Sequence, residues 1–134
     1  MGSCCSRSSV DADSASFTIS YKASKSLAKR REETALVKSR FPNKLPVVIE
    51  RHYKETVLPA IEKNKFLVPK EATMIQLLAV LRNRLNLRHG HTFYFLINGR
   101  TLVTSNETIM NVYEKHVDDD GFLYLTYTSK ESFG

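Results

Sequence analysis

The residues of this sequence that could take part in covalent chemistry lie at its two ends. The last residue is Gly134, and a glycine offers a carboxylate with no Cβ beside it, so that an enzyme can approach the backbone closely. At the other end, MGSCCS matches the N-myristoylation pattern for Gly2, and Cys4 and Cys5 are candidate palmitoylation sites. From the residues alone both alternatives stay open: an arbitrary end at Gly134, and an unmodified start with incidental cysteines.

The body of the sequence does not contain the residue groupings of an enzyme. Cys4 and Cys5 are its only cysteines, so the body has no thiolate nucleophile, disulfide framework or cysteine-ligated zinc site. The histidines are scattered, and no glycine-rich phosphate loop is present. The run Asp118–Gly121 is explained as a turn. The sequence therefore predicts a protein that is not an enzyme and that needs no metal or cofactor.

The charge of the chain favours anionic partners. The net charge is +6, and residues 1–40 carry eight Lys/Arg against four Asp/Glu, which is +4, leaving +2 for residues 41–134. Membrane surfaces, nucleic acids and acidic peptides are the partner classes that such a balance predicts. No apolar run reaches the roughly 18 residues that a membrane-spanning helix needs, and no secretory signal follows Met1. Together with the cysteine usage, this favours a reducing, intracellular setting.

The first half of the chain reads as a tail, a helical segment and two strands. Residues 1–20 are serine-rich and predict a disordered tail, and residues 21–41 predict one or two basic helices. Lys44–His52 and Lys65–Lys70 are rich in β-branched and aromatic residues and predict strands. Pro46 indicates that the first of these strands lies at an edge or that the proline lies near a strand end.

A helix with a clear start follows the second strand. Thr73 and Gln76 form a capping-box pattern. One apolar face at helical spacing comprises Met74, Leu77, Leu78, Leu81 and Leu85.

The second half predicts a hairpin, a short helix and a last strand. Asn98-Gly99 indicates a two-residue hairpin turn. A helix is predicted over 104–116, with Thr104 and Glu107 as a capping box, and the last strand over 122–128. The element order predicts an α+β protein with a β-grasp (ubiquitin-like) domain over 21–134, ending in a flexible tail over 129–134.

Four segments, in order, resemble the autophagy ubiquitin-like modifier family, which contains the GABARAP and microtubule-associated light-chain-3 proteins. They are FPNKLPVVIER, KFLVPKEATMIQLLAVLRNRL, FYFLINGRTLV and DDDGFLYLTYTSKESFG. The resemblance runs from about Tyr21 to Gly134, and KFLVP and DGFLY…SFG are more similar to the light-chain-3 branch. It implies a β-grasp body with two additional N-terminal helices.

The resemblance also implies a chemical role for Gly134. In this family the C-terminal glycine is adenylated by an E1-like enzyme, passes as a thioester to E2-like enzymes, and ends as an amide on phosphatidylethanolamine. A cysteine protease reverses the conjugation. The implied location is the cytoplasm and, after lipidation, the autophagosome membrane.

The resemblance further implies a binding edge for receptors that carry an aromatic-x-x-aliphatic motif, which would add as a strand to Lys65–Val68. The pocket for the aromatic residue would use Glu33, Val37, Pro46, Val48, Lys65, Leu67 and Phe122. The pocket for the aliphatic residue would use Phe66, Val68, Pro69, Leu77, Val80 and Leu81. Arg84 would pair with an acidic residue of the peptide, and Lys25, Lys63 and Lys65 would attract flanking acids. Without the resemblance, the helical spacing of Leu77, Val80 and Leu81 predicts that these residues belong to the hydrophobic core.

Two alternative functions remain open at this point. The basic residues Lys25, Lys29, Arg30 and Arg31 could bind acidic tubulin tails in a cytoskeletal adaptor that acts without lipidation. Arg82 and Arg84 could bind single-stranded RNA, but the sequence contains no RNP-like motif to support this alternative.

Overall fold

Alternating and β-branched apolar residues form one mixed sheet with helices on both of its faces. The computed structural model describes residues 20–87, 92–98, 100–103 and 106–129. Its helices are α1 (Tyr21–Ser24), α2 (Leu27–Arg40), α3 (Met74–Arg84) and α4 (Ile109–His116). Its strands are β1 (Lys44–Arg51), β2 (Lys65–Pro69), β3 (Phe93–Ile97), β4 (Thr101–Leu102) and β5 (Leu123–Ser129). The predicted element order is therefore present, including two helices ahead of the first strand.

The sheet has the order β2-β1-β5-β3-β4. β1 pairs antiparallel with β2 and parallel with β5, and β3 pairs antiparallel with β5 and β4. Because side chains alternate along a strand, β1 contributes to two clusters. Val47 and Ile49 lie in the main core with α3 and α4, whereas Val48 lies in a smaller cluster with Tyr21 and Phe122.

The predicted helix at Thr73 is confirmed with its cap. The Thr73 hydroxyl accepts a hydrogen bond from the Gln76 amide (3.3 Å), and the Gln76 side chain accepts one from the Thr73 amide (2.9 Å). The predicted apolar face packs against the sheet, with Met74, Leu77, Leu81 and Leu85 buried and Leu78 partly buried. Among the helices of the described ranges, none is long and apolar enough to cross a bilayer.

Pro46 does not mark an edge strand, since β1 lies between β2 and β5. The Ile49 amide donates to the carbonyl of Asn64, on the β2 side of the strand. By alternation, the nitrogen of Pro46 faces the β5 side, where pairing begins only at Val47. Pro46 therefore lies where no hydrogen bond from a backbone amide to β5 is needed. Of the two predicted explanations for this proline, the structure supports a position near the start of a strand pairing and not an edge strand.

Three predicted boundaries are wrong. The hairpin pairs Ile97 with Thr101, which leaves three positions between them rather than two. Ser20, assigned to the tail, accepts a hydrogen bond from the Ala23 amide and caps α1. Ser129, also assigned to a tail, is a buried residue of β5.

The start of α4 also differs from the prediction. Thr104 lies outside the described residues, and the cap of α4 is Thr108. The Met74 amide donates to the carbonyl of Glu107 (2.8 Å), and Thr108 forms a β-bridge with Thr73, so Glu107 and Thr108 are held against the start of α3 before the helix begins. This tertiary pairing prevents Glu107 from serving as the third helical residue of a capping box.

Candidate functional site

β2 forms one edge of the sheet and pairs with β1 alone within the described residues. Its side chains alternate, so that Phe66 and Val68 face the core and Lys65, Leu67 and Pro69 face solvent. The free edge of such a strand presents amide and carbonyl groups that can pair with an extended peptide. The structure thus places the sequence KFLVP at a position suited to strand addition.

An apolar cavity of about 260 Å³ lies beside this edge, between β2 and α2. Its lining residues are Glu33, Leu36, Val37, Pro46, Lys65, Phe66, Leu67 and Phe122. Six of the seven residues predicted for the aromatic pocket are therefore brought together around one cavity.

The lining differs from the predicted set at three residues, one of which is Phe66, predicted for the aliphatic pocket but found beside this cavity. Val48 does not line it: the side chain is 0% exposed and packs behind the cavity against Tyr21 and Phe122. Leu36 was missed, although it is 52% exposed and precedes Val37 on α2. An apolar residue on the solvent side of a basic helix is the signal that could have identified Leu36.

Positive charge is concentrated at the mouth of the cavity. The Glu33 carboxylate accepts from Lys25 Nζ (2.9 Å) and from Lys65 Nζ (3.2 Å), and both ammonium groups lie over the Tyr21 ring. Burial, followed by the nearby charge of Lys65, lowers the pKa of Lys25. Because one carboxylate serves two lysines, the mouth keeps a net positive charge. Lys63 lies exposed just before β2.

The residues predicted for the aliphatic pocket are mostly core. Phe66, Val68 and Leu77 are buried in the main cluster, and Leu81 is 0% exposed. The physical reason is that the apolar face of α3 packs directly on the sheet. From that set, Val80 and Pro69 remain exposed in the structure. The Arg84 guanidinium lies over the Phe66 ring, 5.0 Å from its centre.

α2 supplies one wall of the cavity, and a turn before β5 holds α2 in place. Arg30 donates to the Oδ2 of Asp120 at 2.6 Å, and the Thr34 hydroxyl donates to the Asp120 carbonyl at 2.6 Å. Arg31 Nε donates to the Asp119 carbonyl at 3.3 Å. Arg30 is therefore turned inward, and it does not belong to the basic surface that the tubulin-binding alternative requires.

The close approach of α2 to this turn depends on Gly121. Its φ is +94°, and a Cβ added there would lie 2.6 Å from the Thr34 hydroxyl oxygen. Only a glycine fits both the backbone conformation and the space. The Tyr113 hydroxyl donates to the Gly121 carbonyl at 2.6 Å and fixes the other side of the turn.

Asp118 makes the attachment of α1 sensitive to pH. Its carboxylate accepts from Lys22 Nζ at 2.6 Å. Burial alone would raise the pKa of Asp118, but the bonds from Lys22 and from the Asp120 amide, with the charge of Arg30, outweigh burial and lower it. A carboxylate whose pKa is lower in the folded state stabilises the fold above its unfolded pKa of about 3.9, and this contribution is lost as the pH falls through the folded value.

We expect acidification from about pH 5 to about pH 3 to lower the thermal midpoint less in Asp118→Asn than in the wild type. At neutral pH the variant should be the less stable protein, and the two curves should converge in acid. Thermal unfolding followed by circular dichroism at several pH values measures this. Asp119→Asn is the matched control and should follow the wild type, because the side chain of Asp119 is exposed. Parallel curves for wild type and Asp118→Asn would contradict the assignment.

The residues predicted for covalent modification lie outside the described part of the chain. These are Gly134, Gly2, Cys4 and Cys5. Their roles remain predictions from the sequence.

Comparison with known proteins agrees with this architecture. Residues 29–134 match the model of the family described as autophagy protein Atg8, ubiquitin like. Human microtubule-associated protein 1 light chain 3 gamma is 49% identical over 114 residues, which cover 85% of this chain and 78% of that protein. Protein lgg-2 of Caenorhabditis elegans is 37% identical, with 86% of this chain and 88% of that protein covered.

The fold is matched as well. The crystal structure of ATG8 from Trypanosoma brucei superposes with a TM-score of 0.80 at 32% identity, covering 87% of this chain and 99% of that one. The predicted β-grasp class and the resemblance to the light-chain-3 branch are thereby confirmed. The chain belongs to the Atg8 family of autophagy-related ubiquitin-like proteins.

Proposed function

We propose that this chain is a modifier rather than an enzyme, conjugated through Gly134 to phosphatidylethanolamine on autophagosomal membranes, where it recruits receptors with aromatic-x-x-aliphatic motifs. The observation that carries the proposal is the apolar cavity between α2 and β2, beside a strand edge that no other described residue pairs with. Membership of the Atg8 family supports the conjugation chemistry.

The cavity and the edge serve different parts of one peptide. Main-chain groups of the peptide pair with β2, and its aromatic side chain enters the cavity against Pro46, Leu67 and Phe122. Lys25 and Lys65 at the mouth attract acidic residues that flank the motif, which increases the association rate and the specificity. The closed packing of Leu77 and Leu81 leaves the aliphatic residue of the motif to contact Val80 and Pro69 at the surface.

The proposed conjugation uses Gly134, which follows β5 in the sequence. Gly134 follows Ser129, the last residue of β5, by five residues, which span at most about 17 Å when extended. The chain thus offers its glycine to E1-like and E2-like enzymes, and later to a deconjugating cysteine protease, with its folded body nearby. The protein is cytoplasmic before conjugation and lies on the autophagosome membrane afterwards.

The proposal is tested by the intact mass of the protein taken from the membranes of starved cells. Fragmentation should map an added phosphatidylethanolamine to Gly134. A membrane fraction that contains only unmodified protein would overturn the conjugation half of the proposal.

Leu67→Ala tests the receptor half, and we expect it to weaken binding of a motif peptide by about tenfold, because Leu67 lines the cavity and faces solvent in the free protein. Stability should change little, since the side chain is not in the core. Calorimetric titration with a peptide that carries acidic residues before the motif measures the affinity. Leu102→Ala is the matched control, an exposed leucine on β4 at the opposite edge of the sheet. Equal affinities for the two variants would argue against this cavity as the receptor site.

A further inference from the structure

A buried carboxylate lies outside the cavity described above and does not line it. Glu55 belongs to the loop between β1 and β2, and it is 4% exposed. No salt bridge to Glu55 occurs among the described residues. A buried charge of this kind is costly unless hydrogen bonds satisfy it.

Five donors from the described residues surround the Glu55 carboxylate. Oε1 accepts from the Ser129 amide (2.6 Å) and the Thr128 hydroxyl (3.1 Å). Oε2 accepts from the amides of Leu58 (2.6 Å) and Val57 (2.9 Å) and from the Ser129 hydroxyl (3.1 Å). Burial alone would raise the pKa of Glu55, but the amides of Ser129, Leu58 and Val57 outweigh it and lower the pKa, so the side chain is held as the charged acceptor that all five bonds require.

These bonds replace a strand that has left the sheet. The parallel pairing of β1 with β5 ends at Arg51 opposite Tyr127, while β5 continues to Ser129. On the other side of β5, Ser129 is still paired with Phe93 of β3. Glu55 therefore supplies acceptors to the last two residues of β5 where β1 no longer does.

The loop around Glu55 is attached to the same strand end by other bonds. The His52 amide donates to the Tyr127 carbonyl at 3.0 Å, and the Tyr127 hydroxyl donates to the Pro59 carbonyl at 2.6 Å. The loop and the end of β5 thus form one cross-linked unit, with the charge of Glu55 at its centre.

We propose that Glu55 is a positioning residue for conjugation, whose carboxylate fixes Ser129, the last residue of β5, five residues before Gly134. This role rests on the proposed conjugation of Gly134. Without the bonds to Glu55, Thr128 and Ser129 would be held by their pairing with β3 alone, so the end of β5 would open more often and the conjugating enzymes would have to order it before the reaction. Loss of orientation at a distance from the reacting atoms slows a reaction without weakening the docking of the folded body.

Glu55→Gln in the full chain tests the proposal, because glutamine keeps the shape but replaces one acceptor oxygen with a donor. We expect hydrogen exchange at the Ser129 amide to increase by about tenfold. In conjugation to liposomes that contain phosphatidylethanolamine, kcat for the E2-like transfer should fall about fivefold with an unchanged KM. Affinity for a motif peptide should be unaffected, which separates a local effect from general unfolding. Glu62→Gln, an exposed glutamate later in the same loop, is the control and should match the wild type throughout.

The outcomes distinguish this role from the proposed function. A wild-type chain that forms no conjugate would overturn the proposed function and, with it, the role of Glu55. Normal conjugation of both the wild type and Glu55→Gln would overturn the role of Glu55 alone. If Glu55→Gln does not fold, Thr128→Val and Ser129→Ala, which each remove one hydroxyl donor, should each lower kcat about twofold, and wild-type rates for both would overturn the role.

Discussion

Asp120→Ala is expected to lower the free energy of unfolding by about 3–5 kcal/mol and to abolish peptide binding at the cavity between α2 and β2. Asp120 is 1% exposed, and it lies in the turn before β5. Its carboxylate accepts hydrogen bonds from Arg30, from the Tyr124 hydroxyl and from the Phe122 amide. Alanine removes all three bonds and leaves the inward-facing guanidinium of Arg30 with only the more distant carboxylate of Asp118, at 4.0 Å.

The loss of peptide binding follows from the position of Arg30 on α2. Asp120 holds α2 against the body through the ion pair, and α2 carries Glu33, Leu36 and Val37 into the wall of the cavity. If α2 is released, the cavity loses this wall and Lys65 loses its carboxylate partner. We therefore expect Asp120→Ala to abolish peptide binding although Asp120 does not itself line the cavity.

Urea unfolding at neutral pH measures the change in stability, and calorimetric titration with a motif peptide measures binding. The neighbouring Asp119→Ala is the control: its side chain is exposed, and its contribution to α2 is a backbone carbonyl that the substitution keeps. A stability loss below about 1 kcal/mol in Asp120→Ala, or retained binding, would show that α2 is held by other contacts.

The role of Asp120 could not have been predicted from its neighbours in the sequence. The run of aspartates before Gly121 has the composition of a turn, and it does form one. Its partner Arg30 is 90 residues away, and no local pattern indicates which of three adjacent aspartates will meet an arginine from α2. Glu55 is a similar case, since its donors at Thr128 and Ser129 lie more than 70 residues later.

Local patterns did predict the elements that depend on local chemistry. The Thr73 cap, the apolar face of α3 and the strand at KFLVP follow from side chains that are close to one another in the sequence. The burial of Val48 could not be predicted from β1 alone, because it depends on helices that cover both faces of the sheet. The resemblance named six residues that line one cavity in the structure, but it could not show that Leu81 lies beneath the surface.

Gly134→Ala is expected to reduce conjugation to phosphatidylethanolamine by about a hundredfold or more, while folding and peptide binding remain unchanged. A methyl group beside the reacting carbonyl prevents the close approach of the backbone that activation by adenylation and transfer between thiols requires. The substitution lies five residues after Ser129, the last residue of β5, so we expect no effect on the cavity or on the bonds to Glu55.

Conjugation to liposomes with purified E1-like and E2-like enzymes measures this effect, and Ser132→Ala, two residues earlier, is the control that should react as the wild type does. Conjugation of Gly134→Ala at the wild-type rate would show that the reacting group lies elsewhere in the chain.

Asp120→Ala and Gly134→Ala are expected to remove different functions of the protein. Asp120→Ala should lose receptor binding because it damages the folded body, whereas Gly134→Ala should lose the membrane bond and keep the receptor. Observing both would show that binding and conjugation reside in separate parts of one small protein, joined at the end of β5 where Glu55 holds Ser129.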